Sequence, residues 1–215
     1  TKLNNESARY NNMTSLKAEM DVTFKRDGTH RLTAEVYCER PHRYRLKIKS
    51  VMGDEVDIGS NDHHFWYWFR RQDEGTVYFG VYDRAEFMDV PLNPAVLLQC
   101  FRIVPIDTSG GVVKRDGQTA LVRKNGSYLR ATVYDEDFAR VVGHYVYDTD
   151  NQLSAFCDVI SHLDIDGYEL PGEVTLGFPK ENIQMRWKVK RYEVNPAIGK
   201  ETWVMPSKAR FREVQ

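Results

Sequence analysis

The sequence predicts a mainly β protein: one strongly curved antiparallel sheet wrapped around an apolar interior. Three observations predict it. Period-two alternation of apolar and polar residues is the dominant pattern. Turn signals cut that pattern about every ten residues. A single apolar stretch breaks it with helical spacing.

Residues 3–13 can form a short helix. Met20, Val22 and Phe24 then alternate with polar neighbours, as do Leu32, Ala34, Val36 and Cys38. Tyr44, Leu46 and Ile48 alternate with Arg43, Arg45, Lys47 and Lys49, the pattern of a strand with one buried and one wet face. Turns fall at Arg26-Asp27-Gly28, Arg40-Pro41, Met52-Gly53-Asp54, Ser60-Asn61-Asp62 and Asp73-Glu74-Gly75. Later ones fall at Arg115-Asp116-Gly117, Lys124-Asn125-Gly126, Asp135-Glu136-Asp137, Asp148–Asn151 and Asp166-Gly167. Asp116-Gly117 and Asn125-Gly126 are favoured hairpin dipeptides. About ten to twelve strands result, and their short connections make them antiparallel neighbours in a meander. A meander that wide has to curl, because flat it would expose its apolar face.

The exception is the stretch 83–104. Asn93-Pro94 reads as an N-cap followed by proline at the first helical position, and Ala95, Val96, Leu97, Leu98, Cys100 and Phe101 follow as a short apolar helix over 94–102. Such a helix must lie against a sheet face or across a barrel mouth.

Composition limits the possible functions. The chain has 215 residues, 41% of them hydrophobic and 28% charged, with a formal net charge of -1. That supports a single domain over 1–215, and the charge balance gives no global attraction to nucleic acid. No apolar run is long enough for a helical membrane span. Cys38, Cys100 and Cys157 lack metal-ligand spacing and read as small buried hydrophobes. The chain begins at Thr1 with the polar stretch TKLNNESARYNN, as expected of a chain from which a signal or lipid-anchor segment has been removed.

Catalytic and metal motifs are weak. His63 and His64 are adjacent, so on a strand they point to opposite faces and cannot chelate one ion. Asp164-Ile165-Asp166-Gly167 starts like a calcium loop but lacks its later ligands, so a strand running into a turn explains it better. No nucleophile elbow, phosphate loop or dinucleotide fingerprint is present. The expectation is a protein that is not an enzyme and uses no cofactor or metal.

Aromatic density is more informative. His63–Phe69 reads HHFWYWF, with Phe65, Tyr67 and Phe69 on one face and Trp66 and Trp68 on the other. One face serves the core. The other is covered by the helix at 94–102, packs on a neighbour, or lines a pocket.

Several segments together resemble the LolA/LolB-like lipoprotein carrier superfamily. Arg40-Pro41 with Tyr44-Arg45-Leu46 is similar to its proline-led strand, and Val56–Asp62 with Phe65–Trp68 to its central hairpin. Leu170–Leu176, then Asn182–Val194, Asn195-Pro196 and Trp203–Pro206, resemble its closing strands. The VDIGSND form of the hairpin looks like a bacterial lipoprotein subgroup seen in planctomycete-type sequences. The carriers' long N-terminal helix and lid-latching arginine are not matched. The resemblance implies a half-open antiparallel β-barrel of about eleven strands, with a short helical lid near 94–102. It also implies a bacterial cell-envelope protein, periplasmic or at the outer membrane.

The function expected is a monomeric lipid- or lipoprotein-binding carrier that holds acyl chains in an apolar cavity. A removed N-terminal anchor would attach it to a membrane surface. The expected lining is Leu46, Ile48, Ile58, Trp66, Trp68, Phe79, Leu97, Leu98 and Phe101. The alternative is a non-catalytic structural or interaction module whose barrel is filled by its own side chains. An enzyme would require a polar cluster such as His144, Asp148 and His162 converging in a cleft.

Overall fold

The computed structural model describes residues 10–25, 29–70, 75–81, 110–115, 117–125, 128–135, 140–207 and 210–214. β1 (Ser15–Lys25), β2 (Thr29–Glu39), β3 (Arg43–Ser50), β4 (Gly53–Ser60), β5 (His64–Phe69) and β6 (Val77–Val81) form one antiparallel meander. β7 (Gly111–Arg115), β8 (Gln118–Asn125), β9 (Tyr128–Tyr134), β10 (Val141–Tyr147), β11 (Leu153–Ile165), β12 (Tyr168–Phe178) and β13 (Ile183–Val194) form a second. β13 pairs antiparallel with β1 and joins the two meanders into one sheet. β14 (Phe211–Glu213) adds to β6 in parallel. The sheet is open, with β14 and β7 at its edges.

Among the described residues the sheet therefore has fourteen strands, where about eleven were expected. Two short strands explain part of the excess, because neither shows alternating burial. Val112 and Val113 of β7 are both exposed, and every residue of β14 is exposed. These strands join the sheet by backbone pairing, which leaves no periodic trace in the sequence. The stretch 83–104, with its expected lid helix at 94–102, lies outside the described residues, as does most of 3–13.

Within the two meanders the period-two reading holds. Met20 and Val22 of β1, Ala34, Val36 and Cys38 of β2, and Tyr44, Leu46 and Ile48 of β3 are all buried. They share one face and one apolar cluster with Leu176 of β12 and Trp187 of β13. We call this the inner face. Register shifts at Glu19/Met20, Ile48/Lys49 and in β11 mark bulges, which bend strands and increase local twist. Cys38 and Cys157 are buried free thiols, and burial pushes the Cys38 thiol far above its ordinary pKa.

Three aromatic rings lie over glycines on the facing strand. Gly59 faces Trp66, Gly80 faces Phe65 and Gly177 faces Phe156. A Cβ at any of these glycines would meet the opposing ring at under 3 Å. Each glycine thus permits a flat cross-strand contact that a larger residue would block.

The segments flanking the start of β1 and the end of β13 are stapled beside the β1–β13 seam. Asn195, at a positive φ of 53°, accepts the Thr14 amide at 2.8 Å through Oδ1 and donates to the Asn12 carbonyl at 3.1 Å. Ser15 donates to the Pro196 carbonyl at 2.8 Å. This gives the Asn195-Pro196 motif a structural role.

Candidate functional site

Around Arg45, Asp57 and Trp66, β3, β4 and β5 are buried on both faces. In register, Leu46 faces Ile58, Ile58 faces Tyr67, and Tyr67 faces Tyr78 of β6. This row lies on the inner face, and Tyr67 and Tyr78 stack with ring centres 5.0 Å apart. Trp66 faces Gly59 and Phe79, and Trp68 faces Asp57, on the opposite, outer face.

The expected lining residues therefore divide between two layers. Leu46, Ile48 and Ile58 sit together in the main apolar cluster. Trp66, Trp68 and Phe79 sit together in a second cluster with Val77 and Met205. Leu97, Leu98 and Phe101 lie outside the described residues.

The second cluster lies beneath the C-terminal segment that follows β13. Arg45 and Asp57 fix that segment on the outer face. Both are buried, at 6% and 5% exposure, although alternation placed Arg45 on a wet face. The guanidinium binds the carboxylate in bidentate fashion, Nε to Oδ1 at 3.1 Å and Nη2 to Oδ2 at 2.7 Å. Its Nη1 donates to the carbonyls of Thr202 at 2.7 Å and Val204 at 3.0 Å. Trp66 Nε1 donates to the same carboxylate at 3.2 Å, and its ring centre lies 5.7 Å from the guanidinium carbon. Asn61 adds a bond to the Trp203 carbonyl at 3.3 Å. The sequence held one signal for this arrangement: oppositely charged residues on the same face of one hairpin.

The inner face carries one polar atom of interest that the lining expectation omitted. Trp187, at the middle of β13, is fully buried, and its indole N–H has no acceptor among the described residues. In register it lies between Val22 and Val174. Its position was legible, since Met185, Trp187 and Val189 alternate with Arg186, Lys188 and Lys190.

The polar candidates hold separate partners. His144 Nδ1 bonds Thr132 at 3.1 Å, and His162 Nε2 lies 3.0 Å from the Val141 carbonyl. Asp148 pairs with Lys180 at 2.7 Å and accepts the amides of Asp150 and Gln152. The Lys180 hydrogen bond is the main reason its carboxyl lies below the usual range. Asp164 accepts the Gly167 amide at 3.0 Å, and Asp166 has a φ of 52°, so this pair builds a turn. Among the described residues no three His, Cys, Asp or Glu side chains gather as a metal site would.

Comparison with solved structures identifies the architecture. A domain described as an outer membrane lipoprotein-sorting protein, from Vibrio parahaemolyticus, superimposes with a TM-score of 0.64 at 10% identity, covering 94% of each chain. A LolA superfamily protein from Nitrosomonas europaea gives 0.61 at 8% identity, over 95% of this chain and 96% of that one. The fold is LolA-like. A DUF1329 family protein from Desulfovibrio piger shares the LolA-like fold at a TM-score of 0.62 and 13% identity, over 94% of each chain. No family model matches the sequence, and no curated protein does either. In this LolA-like sheet the inner face is the apolar one, and the outer face around Arg45, Asp57, Trp66 and Trp68 is covered by the chain's own C-terminal segment.

Proposed function

We propose that the protein is a carrier of the bacterial cell envelope that binds a lipid, or the acyl chain of a lipoprotein, on its inner face. The observation that carries this reading is an apolar inner face holding a buried hydrogen-bond donor, Trp187 Nε1, that has no acceptor among the described residues. A buried donor left without an acceptor costs about 1–3 kcal/mol. The carbonyl of an ester or amide would satisfy it. Each methylene of an attached chain would contribute about 0.8 kcal/mol on burial. The likeness to a lipoprotein-sorting domain and a LolA superfamily protein supports the same class of ligand. Leu46, Ile48 and Ile58 belong to the proposed acyl-facing side. Trp66, Trp68 and Phe79 act instead as the layer that seats the C-terminal segment. In this reading the protein binds and transfers and does not catalyse.

The second reading is a structural or interaction module with a self-filled interior. The complete burial of Tyr44, Leu46 and Trp187 favours it. Titrating delipidated protein with a fluorescent fatty acid separates the two. Saturable binding that weakens in Leu46→Asp supports the carrier. Absence of binding, with Trp fluorescence equally shielded from acrylamide before and after lipid addition, supports the filled module.

A further inference from the structure

A depression of about 460 Å³ opens on the outer face, across β12, β13, β1 and β2. Six of its eight lining residues, Asp21, Thr23, Arg31, Glu173, Arg186 and Lys188, hold outer-face register positions, the other two being Val22 and Leu32, so it lies on the side of the sheet away from the proposed acyl site and does not depend on that reading. Cross-strand register explains it. Arg31 faces Thr23, and Thr23 faces Arg186, so a short hydroxyl side chain lies between two long arginines. In the next row Lys188 stands between Asp21 and Glu173. With neighbouring strands about 4.8 Å apart, the two arginine Cα atoms stand about 10 Å from each other, with Thr23 as the floor between them.

The charge in this depression is unbalanced. Glu173 is taken by Arg186, whose Nε donates to it at 2.6 Å, and Asp21 is taken by Lys190 at 2.6 Å. Arg31 and Lys188 have no ion-pair partner among the described residues. Three cations, Arg31, Arg186 and Lys188, thus line the depression with two carboxylates, an excess of one, and Lys190 engages one of those carboxylates from outside the lining. Elsewhere on this face Lys17 is matched by Glu193, Lys49 by Glu35, and Arg43 by Glu39 and Asp62, while Lys47 also has no ion-pair partner among the described residues.

We propose that this depression binds a phosphate group carried on a small polar molecule or headgroup. Arg31 and Lys188 supply the unmatched charge, and the Thr23 hydroxyl donates from the floor. A guanidinium, an ammonium and a hydroxyl form a donor set suited to phosphate oxygens. The volume exceeds that of the phosphate alone, which leaves space for a glycerol-sized substituent.

The test is calorimetric titration of the full chain with sn-glycerol 3-phosphate at fixed ionic strength. Flotation with phosphatidylglycerol vesicles, against phosphatidylcholine vesicles, is run in parallel. Wild type should bind glycerol phosphate saturably. The double variant Arg31→Gln/Lys188→Gln should weaken binding by about tenfold or more, as expected when charge-assisted bonds are lost. Lys47→Gln, which removes a charge from the same face outside the depression, should leave binding unchanged. Vesicle binding with the same dependence on Arg31 and Lys188 makes a lipid headgroup the source of the phosphate. Its absence, with glycerol phosphate still bound, makes a soluble phosphate ester the source. No saturable binding of either probe by wild type overturns the proposal, and so does an equal loss in Lys47→Gln. Arg31 and Lys188 are exposed, so an unchanged thermal midpoint should accompany the double variant.

Discussion

On the inner side of β3 and β4, Leu46, Ile48 and Ile58 are buried among apolar neighbours; on the outer side of the same strands, Arg45 and Asp57 are buried just as deeply, as an ion pair beneath the C-terminal segment. Similar burial therefore rests on different physics. The inner layer depends on volume and fit. The outer layer depends on charge balance and on four guanidinium hydrogen bonds, two to Asp57 and two to backbone carbonyls. A volume change should disturb the first, and a charge change the second.

The largest effect should follow from Asp57→Ala, which leaves a buried guanidinium uncompensated. A loss of about 3–5 kcal/mol is expected in urea unfolding. Replacing both partners, as Arg45→Met/Asp57→Leu, should recover most of that loss, since an apolar pair of similar volume is often neutral or better. If the double variant is as unstable as the single one, the tail carbonyls rather than the ion pair dominate the outer layer. Inside, Leu46→Ala should cost about 2–5 kcal/mol, according to how far the cavity collapses. That loss should add to the Asp57 loss if the two layers are independent.

Gly59→Ala tests the outer layer without altering charge. Its Cβ would stand 2.3 Å from the Trp66 ring, so the indole must move, at a cost of about 1–3 kcal/mol with a change in tryptophan emission. The smallest effect concerns an exposed pair. Arg43 donates to Asp62 at 2.6 Å, and this bond is the main reason the Asp62 carboxyl lies below the usual range. A depressed folded pKa stabilises above the unfolded pKa and loses that contribution as pH falls through the folded one. Asp62→Asn should therefore cost under about 1 kcal/mol near neutrality, given the exposure of both side chains, and nothing in strong acid. Denaturant melts of wild type and variant should converge as pH is lowered below 4.

Alternation made much of the fold legible. Tyr44, Leu46 and Ile48 lie where their period places them, and the Val56–Trp68 motif is the β4–β5 hairpin. The same logic failed at Arg45, because alternation reads a guanidinium as solvated. It cannot register that Asp57 and two carbonyls from residues 202 and 204 replace the water. The cover of Trp66 and Trp68 was also hidden. Met205, which packs on them, lies more than a hundred residues away and carries no periodic signal. The half of the site that was readable is the half built by local repetition.

The seam between β1 and β13 has a consequence for how the protein is made. Leu16 is opposite Val194, so β13 must emerge from the ribosome before the two meanders can join. Until then β1 offers an unpaired edge, and the inner-face side chains of both meanders lack their counterparts. Folding should be slow, because the defining contacts are distant in sequence, and the nascent half-sheets should tend to aggregate. Holding the chain unfolded until its last strands are available would remove that hazard.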